Sequence, residues 1–122
     1  MRLREAFPRF ASELKRLLAA SARSELGEQL EDRELASRCG CDDSFCSTFY
    51  VTGGRSPLTM EQRKDRGPFW SESLDVDASE GMVIVDTDQL DRIVSVEVLY
   101  RPDVEVELTM ALERMRHARA SD

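Results

Sequence analysis

Leu3, Phe7, Phe10, Leu14, Leu17 and Leu18 recur at spacings of three and four, with charged residues between them. That period winds one apolar stripe along a helix, and it predicts a helix over residues 8–22. Pro8 suits the first turn, where a missing N–H has no intrahelical partner to lose. Ser24-Glu-Leu-Gly27 reads as a further short turn of helix stopped by glycine, with Leu26 and Leu30 extending the apolar face.

From Glu34 the period changes to that of strands. Phe45, Phe49, Tyr50 and Val51 are aromatic or branched, and Gly40 to Ser44 carry turn chemistry, so a hairpin is expected over residues 34–52, with strands Glu34–Cys39 and Phe45–Thr52. Residues 53–68 are polar, basic and bounded by Gly and Pro, which predicts a long mobile loop. Trp70–Val76, Met82–Asp86 and Arg92–Tyr100 then read as a three-stranded meander over residues 70–100, joined by short acidic turns. On its last strand Val94, Val96, Val98 and Tyr100 alternate with Ile93, Ser95, Glu97 and Leu99, which puts Glu97 on the mixed face. After Arg101-Pro102, the spacing of Val104, Leu108, Ala111, Leu112 and Met115 predicts a helix over residues 103–117. The expected fold is α+β: an antiparallel sheet, made of a hairpin and a meander, with N- and C-terminal helices packed on one face.

The length of 122 residues suits a single domain that can bury a core without disulfides or a structural metal. The first residues carry charge throughout and no long apolar run occurs, so neither a signal peptide nor a membrane span is expected, and the expected compartment is the cytoplasm. The net charge of −7 is unevenly placed. Residues 1–72 hold twelve basic and twelve acidic residues, whereas residues 73–122 hold five and twelve. Acidity concentrated in this way repels phosphate backbones, which argues against nucleic acid or an anionic membrane as partner and for a basic protein.

Chemistry concentrates in Cys39-Gly-Cys-Asp-Asp-Ser-Phe-Cys-Ser-Thr-Phe-Tyr50, which holds all three cysteines of the chain. A tight turn about Asp42-Asp43 would put Cys39 opposite Cys46, with Cys41 on the same face, at a separation where sulfurs share a metal or form a disulfide. Three outcomes remain open: a metal site on Cys39, Cys41 and Cys46, a redox or reactive thiol, or structural thiols. Zinc would be the candidate ion, yet structural zinc takes four protein ligands, so His117, Asp42 or Asp43 would have to supply the fourth. The expectation is therefore that no cofactor is required.

Asp86, Asp88 and Asp91 space as DxDxxD but lack the glycine and closing glutamate of a calcium loop, so they read as solvated turn acids. Catalysis has little support. His117 is the one histidine and lies on a basic helix end, and no phosphate loop, nucleophile elbow or HExxH occurs.

The segment CGCDDSFCSTFY, followed by GMVIVDTDQLDRIVSVEVLYRP, resembles a group of small bacterial proteins of unknown function with a CxCxxxFCxTFY-like hairpin and a VEVL strand. The resemblance covers about residues 30–102 and implies a bacterial cytoplasmic protein without a catalytic assignment. The function expected first is a small acidic, non-enzymatic protein-binding module of inhibitor or immunity type. Asp86, Asp88, Asp91, Glu97 and Glu105 would face a basic partner, with Trp70, Phe69 and Tyr100 as aromatic anchors. The alternative is a metal- or redox-responsive thiol protein using Cys39, Cys41 and Cys46.

Overall fold

The computed structural model describes residues 1–52, 70–88 and 91–121. Its elements in chain order are α1 (Leu3–Ala6), α2 (Phe10–Ala20), α3 (Ser24–Gln29), β1 (Glu34–Arg38), β2 (Phe49–Thr52), β3 (Trp70–Val76), β4 (Met82–Asp88), β5 (Ile93–Leu99) and α4 (Pro102–Ser121). The strands form one antiparallel sheet in the order β1-β2-β5-β4-β3. This is the α+β architecture that the hydrophobic pattern predicts. The hairpin joins the meander through β5, its last strand, so β2 and β5 lie side by side at the centre. The expected loop over 53–68 lies outside the described residues.

The N-terminal stripe is split by its proline. A residue before proline is pushed out of the helical region, and Phe7 accordingly takes φ −128° and ψ 73°, ending α1 before α2 begins. Gly27 does not stop a helix, contrary to expectation. It lies buried inside α3, and a Cβ there would come within 3.3 Å of Lys15 Cγ and 3.5 Å of the Lys15 carbonyl, so the glycine permits close packing of α3 on α2. Pro102 opens α4, which runs past the expected end at residue 117.

One sheet face is apolar along two rows across the strands. Phe49, Val96 and Val85 form the first row, and Val98, Val83 and Val76 the second, all buried. The helices close over them with Leu3, Phe7, Phe10, Leu14, Leu18, Leu26, Val104 and Leu108. Phe7 stacks on Phe49 with centroids 4.4 Å apart, and Phe10 meets both rings edge-on at 6.0 and 6.3 Å. Each such pair adds about 0.5–1.5 kcal/mol beyond the area it buries.

Tyr100 departs from the apolar face on which alternation placed it. β5 ends at Leu99, and Tyr100 takes φ +60°, is 64% exposed and stacks on Phe45 at 5.1 Å. The turn delivers the next residue inward: Arg101 is 4% exposed, with its guanidinium 5.5 Å over the Phe10 ring. Arginine has five N–H donors, and five hydrogen bonds leave this one. They reach both oxygens of Glu13 at 2.7 and 2.8 Å, both oxygens of Asp103 at 2.9 and 3.0 Å, and the Glu80 carbonyl at 3.2 Å. One side chain thereby ties α2, the β3–β4 turn and α4. Gly81 lies against it at φ +67°, where a Cβ would meet the Leu99 carbonyl at 2.5 Å and Arg101 Cγ at 2.7 Å.

Arg101→Met keeps the bulk and strands Glu13, so urea unfolding is expected to show a loss on the order of 2–4 kcal/mol, less than a fully buried pair because Asp103 is exposed. Arg101→Lys recovers only a small part, since a point charge cannot serve three elements. An unchanged midpoint in the Met variant would show that the network contributes nothing to stability.

Candidate metal centre

The cysteine segment begins as a continuation of the β1–β2 ladder. Ser37 pairs with Tyr50 and Arg38 with Phe49, and the Cys39 N–H donates to the Thr48 carbonyl at 2.9 Å. Cys39 therefore lies opposite Thr48 and not, as expected, opposite Cys46. Two features shift the register: an irregularity between Leu35 and Ser37, and a connection wider than a tight turn about Asp42-Asp43. The displacement is two residues. Side chains alternate with a period of two, so Cys46 stays on the same face as Cys39 and the thiols still converge.

The far side of the loop is held by β5 and by one ion pair. Cys46 bridges to Leu99, the Ser47 N–H donates to the Val98 carbonyl at 2.8 Å, and the Tyr100 N–H donates to the Phe45 carbonyl at 2.9 Å. Arg38 forks onto both Glu105 oxygens at 2.9 Å and also donates to the Cys46 carbonyl at 3.0 Å. The Ser47 hydroxyl donates to the same carboxylate at 2.9 Å. Such bidentate contacts fix orientation as well as charge. Arg38, Glu105 and Ser47 thus position the loop from below.

All three cysteines are free thiols, and their Sγ atoms lie within 4.8 Å of one another. Cys46 is buried, Cys39 half-buried and Cys41 exposed. The backbone N–H of Cys41 holds the Cys39 thiol below its ordinary range, against partial burial and helped by hydrogen bonds from Cys41, Tyr50 and Cys46. For Cys41 the backbone N–H of Asp43 acts to lower the value. Hydrogen bonding with Cys46 and Cys39 outweighs it, and the thiol is pushed up to about 11. Burial, followed by the charge of Cys39, raises the Tyr50 phenol. The cluster is thus asymmetric, with the thiolate favoured at Cys39.

Cys39 and Cys46 border a cleft of about 310 Å³ on the sheet face that the helices leave open. Its lining includes Cys39, Cys46, Tyr50, Asp86 and Glu97, and no basic side chain among the described residues. Strand pairing explains the set, because Tyr50, Ser95, Asp86 and Ser73 form one row across the sheet. Asp86 is 3% exposed and accepts from Ser73 Oγ at 2.6 Å and from Ser95 Oγ at 2.9 Å. Partial burial and contact with the Asp86 carboxyl raise Glu97 to about 7. Burial of the carboxyl is the larger cause and the contact with Asp86 the second.

The sequence-derived acids are distributed rather than gathered. Asp86 and Glu97 line the cleft. Asp88 is buried, with its oxygens accepting from the backbone N–H and Nε of Arg92 at 3.0 and 2.8 Å. Asp91 is an exposed turn residue at φ +57° whose carbonyl accepts from Gln29, and Glu105 is engaged by Arg38. The side chain of Trp70 and all of Phe69 lie outside the described residues. Among the described residues no fourth histidine or carboxylate joins the three sulfurs within the same distance, so His117, Asp42 and Asp43 stand apart from them. Sequence reading missed Arg38 and Ser47, although both adjoin cysteines in the chain, because their shared partner Glu105 is far along it.

Comparison with protein families, curated proteins and solved structures gives no match. The assignment of this centre therefore rests on its geometry. Among the described residues, no helix is long and apolar enough to cross a membrane.

The raised Glu97 has a defined effect on stability. Its carboxyl titrates near 4.5 when unperturbed and about 7 in the fold, so the folded state binds the proton more tightly. The resulting stability is full below about pH 4.5 and is lost as pH rises through about 7. Asp103 and Glu105, lowered by Arg101 and Arg38, act in the opposite sense and lose their contribution as pH falls below the ordinary carboxylate range. Glu97→Gln is expected to remove the decline between about 4.5 and 7 and to be more stable than the parent above that range. Thermal melts across pH provide the measurement, and parallel curves for the two proteins would refute the carboxyl contact.

Proposed function

We propose that this chain is a thiophilic metal-ion-binding protein whose ligands are Cys39, Cys41 and Cys46. The observation that carries the reading is the convergence of three free Sγ atoms within 4.8 Å on a loop of eight residues. Thiolates are soft donors and select zinc, cadmium, copper(I) and related ions over hard cations. Ligation would draw the exposed Cys41 onto a frame already set by Cys39 in the ladder and by Cys46 on β5. Arg38 and Glu105 would serve as the supporting contacts that a metal site needs to keep its ligands aimed. A compartment that keeps thiols reduced, such as the cytoplasm, is the setting this reading requires. Docking on a basic partner has less support, because Asp88 and Glu105 are already paired with arginines.

Cadmium is a suitable probe, since its thiolates absorb through sulfur-to-metal charge transfer. Titration of the reduced chain is expected to saturate at one ion per chain, and the variant with all three cysteines changed to Ser is expected to fold but show no such band. Removing the support with Arg38→Met is expected to weaken cadmium binding by about 10–100-fold. Three titratable thiols in excess cadmium, with no charge-transfer absorption, would sink the proposal.

A further inference from the structure

We infer that the centre selects a trivalent, three-coordinate thiophilic ion, with arsenic(III) as the representative, over tetrahedral divalent ions such as zinc and cadmium. The inference rests on the metal-binding reading and names the class of ion. Donor number is its first support. Three sulfurs converge, and among the described residues no histidine or carboxylate completes a set of four. Zinc in structural sites takes four protein ligands. Arsenic(III) takes three sulfurs in a pyramid and points its lone pair at the remaining side, a need that three thiols meet in full. Cys39 and Cys46 border the cleft of about 310 Å³, so open space adjoins two of the three sulfurs.

Charge is the second support. Three thiolates around a divalent ion leave one negative charge, whereas around a trivalent ion they leave none. The same cleft is lined by the Asp86–Glu97 carboxyl pair and by no basic side chain among the described residues, so residual negative charge would find no opposite charge there. Arg38 lies close enough to interact with charge on Cys46 and Cys41, but both its terminal nitrogens serve Glu105, whose carboxylate offsets its charge. A neutral centre needs no counter-charge. Loading is an exchange without change of oxidation state: arsenous acid, As(OH)3, trades three As–O bonds for three As–S bonds, and each thiol proton leaves with a hydroxide as water.

The test adds arsenite to the reduced full-length chain preloaded with cadmium and follows the loss of the sulfur-to-cadmium band, with the mass of the adduct as a second readout. One arsenic per chain, with three protons lost and cadmium displaced, is the expected result. Each single Cys→Ser variant leaves a dithiol and is expected to bind arsenite at least about a hundredfold more weakly, since losing a ligand costs no less than the roughly 10–100-fold typical of losing a supporting contact. The combined variant Asp42→Asn, Asp43→Asn, His117→Ala is expected to bind as the parent does. Circular dichroism of every variant separates lost binding from lost folding. Cadmium bound and not displaced by excess arsenite would overturn this inference while leaving the metal-binding reading intact. Equal arsenite affinity in parent and single-Ser chains would also overturn it, because a dithiol would then suffice. Failure of both ions to bind would remove both proposals.

Discussion

The stacking of Phe7 on Phe49, closed off at the edges by Phe10, is the contact from which the rest of the arrangement follows. It buries Phe49 toward the helices, and in a strand that choice decides the direction of every neighbour. Tyr50 and Thr48 must then point to the uncovered face, as must Cys46 two residues before Thr48. The core thus decides where the thiols emerge. Burial of large aromatics is worth several kcal/mol, far more than any preference of the loop itself.

The first turn of α4 is where core and candidate site are joined. Asp103 and Glu105 both lie there, where carboxylates meet the positive end of the helix dipole. Each is also held by an arginine from another element, Asp103 by Arg101 and Glu105 by Arg38. Arg101 fixes α4 against α2 and the β3–β4 turn, while Arg38 fixes it against the cysteine loop. One helical turn therefore transmits the geometry of the core to the thiols. Part of the acidity that dominates the second half of the chain is neutralised internally in this way.

Element types and the layering of helices on one sheet face were legible because periods of 3.6 and 2 report directly which residues face inward. Leu3, Phe7, Phe10 and Leu14 are buried as their spacing demands, as are Val96 and Val98, while a register shift near the start of β5 puts Ile93 rather than Val94 in the core cluster. The split of the first helix was also encoded, since Pro8 constrains Phe7, but the hydrophobic stripe runs across the break and masks it. Register was not legible. It depends on an irregularity at Leu35–Ser37 and on contacts between the cysteine loop and β5, which is remote in sequence. The cleft was invisible for a related reason, because Asp86, Ser95 and Tyr50 become neighbours only once the strand order is known. Reading the acids as one surface patch did not anticipate that Asp88 and Glu105 pair with Arg92 and Arg38, or that Asp86 is buried under two serine hydroxyls.

The alternation that places Cys46 outward makes the chain unequally tolerant of changes in length. Between Cys46 and Phe49 the backbone is tied to β5 and to β1. A single added or lost residue there would turn a thiol toward the apolar layer or an aromatic toward water. Between Cys41 and Ser44 the chain lies outside any strand, whereas Phe45 beyond it is tied to Tyr100 through its carbonyl and its ring. Insertions in that stretch could be absorbed without redirecting either end. Spacing on the two sides of Cys46 is thus under different constraint: one side behaves as a fixed ruler and the other as slack.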